Sequence, residues 1–146
     1  MICELTQETK TILLVEDDQD DAELALMALH ESRLVNEIKH VWAGEEALRL
    51  LHDEPQQPLP QLVLLDINLP KIGGLEVLKQ IRSNPRTRRL PVVILTSSDE
   101  EDVIAASYDM GVNSYIRKPV DFDQFVECVK HLSLYWLVLN VEPPSK

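Results

Sequence analysis

Three short stretches, Ile12-Leu13-Leu14-Val15, Leu62-Val63-Leu64-Leu65 and Val92-Val93-Ile94-Leu95, are apolar at every position. A strand with no wet face belongs in the interior of a sheet covered on both sides, which is the situation of parallel strands. Residues 37–42 and 112–117 instead alternate, with Ile38 and Trp42 set against Lys39 in the first, and are predicted as edge strands. Helical patterns separate all five. They read as Leu24, Ala25, Ala28 and Leu29; Ala47, Leu48 and Leu51 after Gly44; and Leu75, Leu78 and Ile81. A fourth runs from the acidic residues 99–102 to Gly111, and a fifth carries Phe122, Phe125, Val126, Val129 and Leu132 from about Asp121. Strict alternation predicts an α/β fold: a five-stranded parallel sheet with helices on both faces and right-handed crossovers. The order 2-1-3-4-5 puts the three apolar strands inside and the two alternating ones at the edges.

The punctuation agrees. Residues 55–60 hold three prolines and two glutamines and form a surface loop. Asn84-Pro85 ends the third helix. Ser98 and Glu101 match a capping box at the positive end of the fourth, and Gly111 suits its left-handed C-cap. The 146 residues are enough for one domain over 1–146, with a core at about 11–132 and a C-terminal extension at about 133–146. A formal charge of -11 argues against direct nucleic-acid binding. No apolar run approaches the roughly 20 residues of a membrane span. The start, with Glu4, Gln7 and Glu8, does not resemble a signal peptide, so a cytoplasmic protein is expected. Cys3 and Cys128 then read as reduced thiols rather than a disulfide. The four histidines show no metal-ligand spacing. Nothing after Pro143-Pro144 suggests a second domain, so output is expected through protein contacts.

In such a sheet ligands bind at the carboxyl ends of the strands, where the order reverses between strands one and three. Those ends carry Glu16 and Asp17, Asp66, Thr96 and Lys118. Singly each has a plain explanation: an acidic turn, a turn cap, a strand-end hydroxyl, a surface lysine. Converging, they make a site. Three carboxylates repel one another, and a hard cation held by oxygens relieves the repulsion; Mg²⁺ suits a site with few protein ligands. Asp17 and Asp66 are the expected direct ligands, with Glu16 acting through water and a backbone carbonyl just past Asp66 adding an oxygen. A hydroxyl and an ammonium beside that metal make sense if phosphoryl oxygens arrive there. Asp66 is then a nucleophile attacking phosphorus in line, with Thr96 and Lys118 on the equatorial oxygens.

Glu16-Asp17, Asp66-x-Asn68-x-Pro70, Thr96 and Lys118-Pro119 together resemble the signature of bacterial response-regulator receiver domains, over about residues 11–132. The resemblance implies a CheY-like fold and a phosphoryl group accepted on Asp66 from a sensor histidine kinase. It also implies Glu16, Asp17, Asp66 and the Asn68 carbonyl around Mg²⁺, and Thr96 and Lys118 on the phosphate. Tyr115 matches an aromatic that turns inward on activation. Glu16 stands where Asp is commoner, and Asn68 and Ser98 fall at positions that tune dephosphorylation. Asn68-Leu69-Pro70-Lys71, Thr96-Ser97-Ser98, Tyr108, Val112-Asn113-Ser114-Tyr115 and Tyr135-Trp136-Leu137 are similar, more narrowly, to the small stand-alone regulators paired with phytochromes. A light-sensing kinase upstream is what that implies.

Residues 134–139 are apolar all round, and one sheet face cannot bury every side of a helix. A homodimer is expected, using Leu134, Tyr135, Trp136 and Leu137 with Val103, Ile104 and Tyr115; the plain alternative is a segment folded back over its own domain. Arg82, Arg86, Arg88 and Arg89 read as a solvated loop before a docking patch. A metal-dependent phosphatase needs a second acid two residues past the nucleophile, and Asn68 cannot serve. A dimerisation scaffold without phosphoryl chemistry leaves the intact site set unexplained, and flavin binding is disfavoured by an acidic first loop.

Overall fold

The computed structural model describes residues 11–32, 37–53, 58–96, 101–117 and 122–136. The strands are β1 (Thr11–Val15), β2 (Glu37–Val41), β3 (Leu62–Leu65), β4 (Val92–Thr96) and β5 (Ser114–Arg117). The helices are α1 (Gln19–Ser32), α2 (Gly44–His52), α3 (Gly74–Ser83), α4 (Glu101–Asp109) and α5 (Phe122–Leu134). All pairings are parallel, in the order β2-β1-β3-β4-β5.

The period-2 alternation of the central strands divides the core in two. Leu13, Val15, Val63, Leu65, Val92 and Ile94 point to one face and pack with Ala47 and Leu51 of α2 and Val77, Leu78 and Ile81 of α3. Ile12, Leu14, Leu62, Leu64, Val93 and Leu95 point to the other, against Ala25, Ala28 and Leu29 of α1 and Val126, Val129 and Leu132 of α5. The continuous apolar runs are therefore two interleaved faces, each with its own helical cover.

Three expectations shift. Trp42, assigned with Ile38 to the buried side of β2, lies past the end of the strand and is 46% exposed, its N–H donating to Glu46 Oε1 at 2.8 Å. Leu75 is only half-buried, and Val77 takes the central place in α3. The cause is Gly44, whose missing side chain leaves the space that Val77 Cγ2 and Ile72 fill. β5 begins at Ser114 rather than at 112 because Val112 N–H bonds Ser107 O at 3.1 Å, closing α4, after Gly111 turns the chain at φ +89. Asn113 then pairs with Val92 through its own N–H (2.9 Å) and through Oδ1, which accepts from Val92 N–H at 2.7 Å.

Two of the four arginines, Arg82 at the end of α3 and Arg86 in the loop after it, are half-buried braces whose guanidinium groups are engaged by backbone carbonyls. Arg82 donates to Gly111 O through Nε and a terminal nitrogen (2.9 and 2.7 Å), to Leu90 O at 2.8 Å and to Asn113 Oδ1 at 3.1 Å. Arg86 donates to Leu51 O at 2.6 Å. Arg88 and Arg89 are exposed. Beyond α5, Trp136 packs on the core face shared by α1 and α5, and Tyr135 meets it edge-on at 5.0 Å while staying 50% exposed. The side chain of Leu134 and all of Leu137 lie outside the described residues, as does Cys3; Cys128 is a free thiol whose pKa burial pushes up. Among the described residues no helix is long and apolar enough to cross a membrane.

Candidate functional site

The acidic residues are placed by the sheet itself. Val15 pairs with Leu65, so Glu16 and Asp66 each stand one residue past the end of a central strand. Their backbones prolong the ladder: Glu16 N–H donates to Val41 O at 3.2 Å and Asp66 N–H to Val15 O at 3.1 Å. Both side chains are buried, Glu16 at 3% and Asp66 at 7% exposure, whereas Asp17 is exposed. One carboxylate oxygen from each of the three lies within 4.8 Å of the others. This all-oxygen set fits a small hard cation: the three charges repel at such distances, and burial of two of them weakens the screening by water.

The loops around the trio are tied down by backbone groups. Asp18 N–H donates to Glu16 Oε2 at 3.3 Å, and the Asp18 side chain accepts from Asp21 N–H at 2.9 Å. Asp18 thus occupies the cap position of α1, three residues ahead of the donor. After β3, Asn68 N–H donates to Asp66 Oδ1 at 3.3 Å. Ile67 O accepts from Leu69 N–H at 3.0 Å and Gly74 N–H at 2.9 Å, which folds the loop onto itself before α3. Lys71 takes the left-handed turn at φ 62. A Cβ on Gly74 would stand 2.3 Å from Asp66 O, so only glycine lets α3 start this close to the Asp66 backbone.

Of the remaining expected residues, Thr96 is fully buried at the end of β4, opposite Arg117 of β5. Lys118, the expected cation, lies outside the described residues, as does Ser98. Tyr115 pairs with Ile94 and is half-buried against the α2–α3 core face, as is Val103; Ile104 is half-buried on α4 and Tyr108 is 52% exposed.

The sequence reading missed His40. Its Nε2 lies 3.0 Å from Glu16 O, and its ring contacts Trp42 with centroids 4.1 Å apart. A signal existed, because His40 shares the alternation of Ile38 and so falls on the inward side of β2.

A doubly wound parallel sheet of order 2-1-3-4-5, with a carboxylate trio at its switch point, defines the CheY-like class of α/β proteins. The chain belongs to the response regulator receiver domain family, whose model matches residues 12–130. Response regulator Rcp1 of Synechocystis sp. is 39% identical over 131 residues, covering 88% of this chain and 89% of the relative. Among solved structures, that of the phosphorylated cyanobacterial phytochrome response regulator RcpA superposes with a TM-score of 0.87 at 40% identity, over 94% of this chain and 100% of the other. The Mn²⁺-bound form of Rcp1 gives 0.83 at 38%, over 92% and 99%. The narrower likeness to phytochrome response regulators therefore holds along nearly the whole chain.

Proposed function

We propose that this receiver accepts a phosphoryl group on Asp66 from a sensor histidine kinase, and that the kinase is of phytochrome type. The observation that carries the first part is the trio itself: Asp66 is buried with an oxygen within 4.8 Å of Glu16 and Asp17, at the strand ends beside the buried hydroxyl residue Thr96. The kinase type rests on likeness to RcpA and Rcp1.

Glu16, Asp17, Asp66 and the Asn68 carbonyl hold Mg²⁺ in this reading. When bound, the cation supplies the positive charge that lets a phosphoryl group approach a carboxylate. An oxygen of Asp66 forms the new O–P bond as the N–P bond of phosphohistidine breaks, and the bonding pair stays on the departing imidazole. Asn68 N–H, already on Oδ1 of Asp66, holds that carboxylate in place for the attack. Thr96 and Lys118 bind phosphoryl oxygens. The chain catalyses no reaction beyond its own phosphorylation and dephosphorylation, and it works in the cytoplasm as a single domain over 1–146.

Output runs through protein contacts. Movement of Thr96 toward the phosphoryl group frees Tyr115 to change rotamer, altering the α4 face at Val103 and Ile104. A homodimer uses this face together with Leu134, Tyr135, Trp136 and Leu137. Tyr115 packs on one core face and Trp136 on the other, so such an interface wraps the outer side of β5, the last strand of the sheet. Half-exposed Tyr135 is its natural anchor, beside an open groove lined by Ile116, Cys128 and Leu132.

The test is phosphotransfer from a radiolabelled histidine kinase, with Mg²⁺ and with chelator. The wild-type chain takes up acid-labile, base-labile phosphate only with the metal; label on Asp66→Asn, or equal uptake in chelator, refutes the reading.

A further inference from the structure

β2 holds both backbone groups of Glu16. The N–H follows the sheet ladder to Val41 O at 3.2 Å. The carbonyl does not, because β2 ends at Val41 and the chain turns away: Trp42 N–H goes to Glu46 Oε1, and Ala43 becomes the N-cap of α2. The donor that a continuing strand would supply is replaced by a side chain, His40, whose Nε2 stands 3.0 Å from Glu16 O. A carbonyl only accepts, so the ring carries its proton on Nε2. Trp42, with centroids 4.1 Å away and planes tilted by 49°, packs against the same ring and limits its rotation.

This bond reaches the acidic trio through the main chain. Glu16 C=O and Asp17 N–H share one rigid peptide plane, so fixing the carbonyl fixes the direction in which Asp17 leaves the strand. Asp17 is the exposed member of the trio, and its side chain lacks the burial that orders Glu16 and Asp66. We propose that His40 is a positioning residue for the cation site: its Nε2–H bond to Glu16 O holds Asp17 within reach of Glu16 and Asp66. The inference rests on the trio being a divalent-cation site.

The experiment measures Mn²⁺ binding by the full chain, counting free ion by electron paramagnetic resonance, alongside urea unfolding. His40→Leu and His40→Phe both remove the donor, the second keeping a ring against Trp42, and His40→Gln returns an N–H at similar reach. Both donor-free variants bind Mn²⁺ about tenfold more weakly, the low end of what loss of an outer hydrogen bond costs a metal site, while His40→Gln stays near wild type. Nitrogen NMR of the metal-free chain shows the His40 proton on Nε2. Wild-type affinity in either folded donor-free variant, a His40→Gln as weak as they are, or a proton on Nδ1 alone overturns the inference and leaves the trio intact. A wild-type chain with no Mn²⁺ site that Asp66→Asn weakens overturns the trio's reading and this inference with it.

Discussion

Gly74 is where fold and site meet most tightly, and replacing it with alanine sets two effects of opposite sign against each other. Alanine is favoured over glycine in a helix and in restricting the unfolded chain, by about 0.4–1 kcal/mol. Against this, the new Cβ would stand 2.3 Å from Asp66 O, 2.7 Å from Ile67 Cα and 3.1 Å from Asp66 C. All three are main-chain atoms of the loop that carries the acceptor, so no side-chain rotation relieves the overlap. Overpacking of this kind costs about 1–3 kcal/mol, and a clash with backbone belongs at the upper end. Net destabilisation of Gly74→Ala is therefore about 2 kcal/mol, a fall of about 1 M in the urea midpoint for a domain of this size. Its neighbour is the control. A Cβ on Gly73 has only Ile67 O at 3.6 Å, an ordinary contact, and Gly73 has φ -77. Gly73 is, however, the N-cap of α3, where alanine is disfavoured, so Gly73→Ala should cost only about 0.5 kcal/mol, well short of Gly74→Ala. Gly44→Ala falls between, since the atoms it meets are the side-chain tips of Val77 and Ile72. Because relief in Gly74→Ala requires moving Asp66, Mn²⁺ affinity should fall with stability. A Gly74→Ala chain as stable as Gly73→Ala, with wild-type metal affinity, refutes the reasoning.

Arg82→Ala strips hydrogen bonds from Gly111 O, Leu90 O and Asn113 Oδ1 and should cost about 2 kcal/mol by urea unfolding; Arg82→Lys recovers less than half, since an ammonium cannot span all three acceptors. His52 donates from Nε2 to Thr87 Oγ1, whose own hydroxyl donates to Ile81 O, and burial lowers the His52 pKa below its ordinary 6.5. The unfolded chain then binds the proton more tightly, so stability present above pH 6.5 falls as pH drops through the folded pKa, and His52→Gln should flatten that slope in unfolding midpoints taken across the window. Tyr135→Ser should lower the dimer fraction seen by sedimentation, and a wild-type chain that stays monomeric with and without a beryllofluoride phosphoryl mimic sinks the homodimer.

What was legible in the sequence was whatever depends on strand burial. Runs with no polar position read as interior strands and alternating ones as edges. The order β2-β1-β3-β4-β5 satisfies that sorting, though other orders of the three inner strands satisfy it too, and it is this order that brings Glu16, Asp17 and Asp66 together. What escaped depends on contacts between residues far apart in the chain. The phase of α3 is set by the notch at Gly44 and by contact with the Asp66 backbone, so Val77 is fully buried while Leu75 packs half-buried against the same core. Arg82 looks like one of four loop charges until its acceptor at Gly111, 29 residues on, is in view. His40 belongs with these: the alternation of β2 places it on the inward side, but its partner is a main-chain carbonyl 24 residues earlier. Lys118 remains an expectation from the motif alone, outside the described residues.

Signalling by this chain turns on which atom carries the phosphoryl group. After transfer from a histidine kinase, borohydride reduction converts a phosphorylated aspartate to homoserine, a change that mass spectrometry locates to a residue. The expected result is one modified position, Asp66, absent from chain treated without Mg²⁺. Homoserine at another carboxylate, or label stable to acid on a serine or threonine such as Thr96, contradicts it.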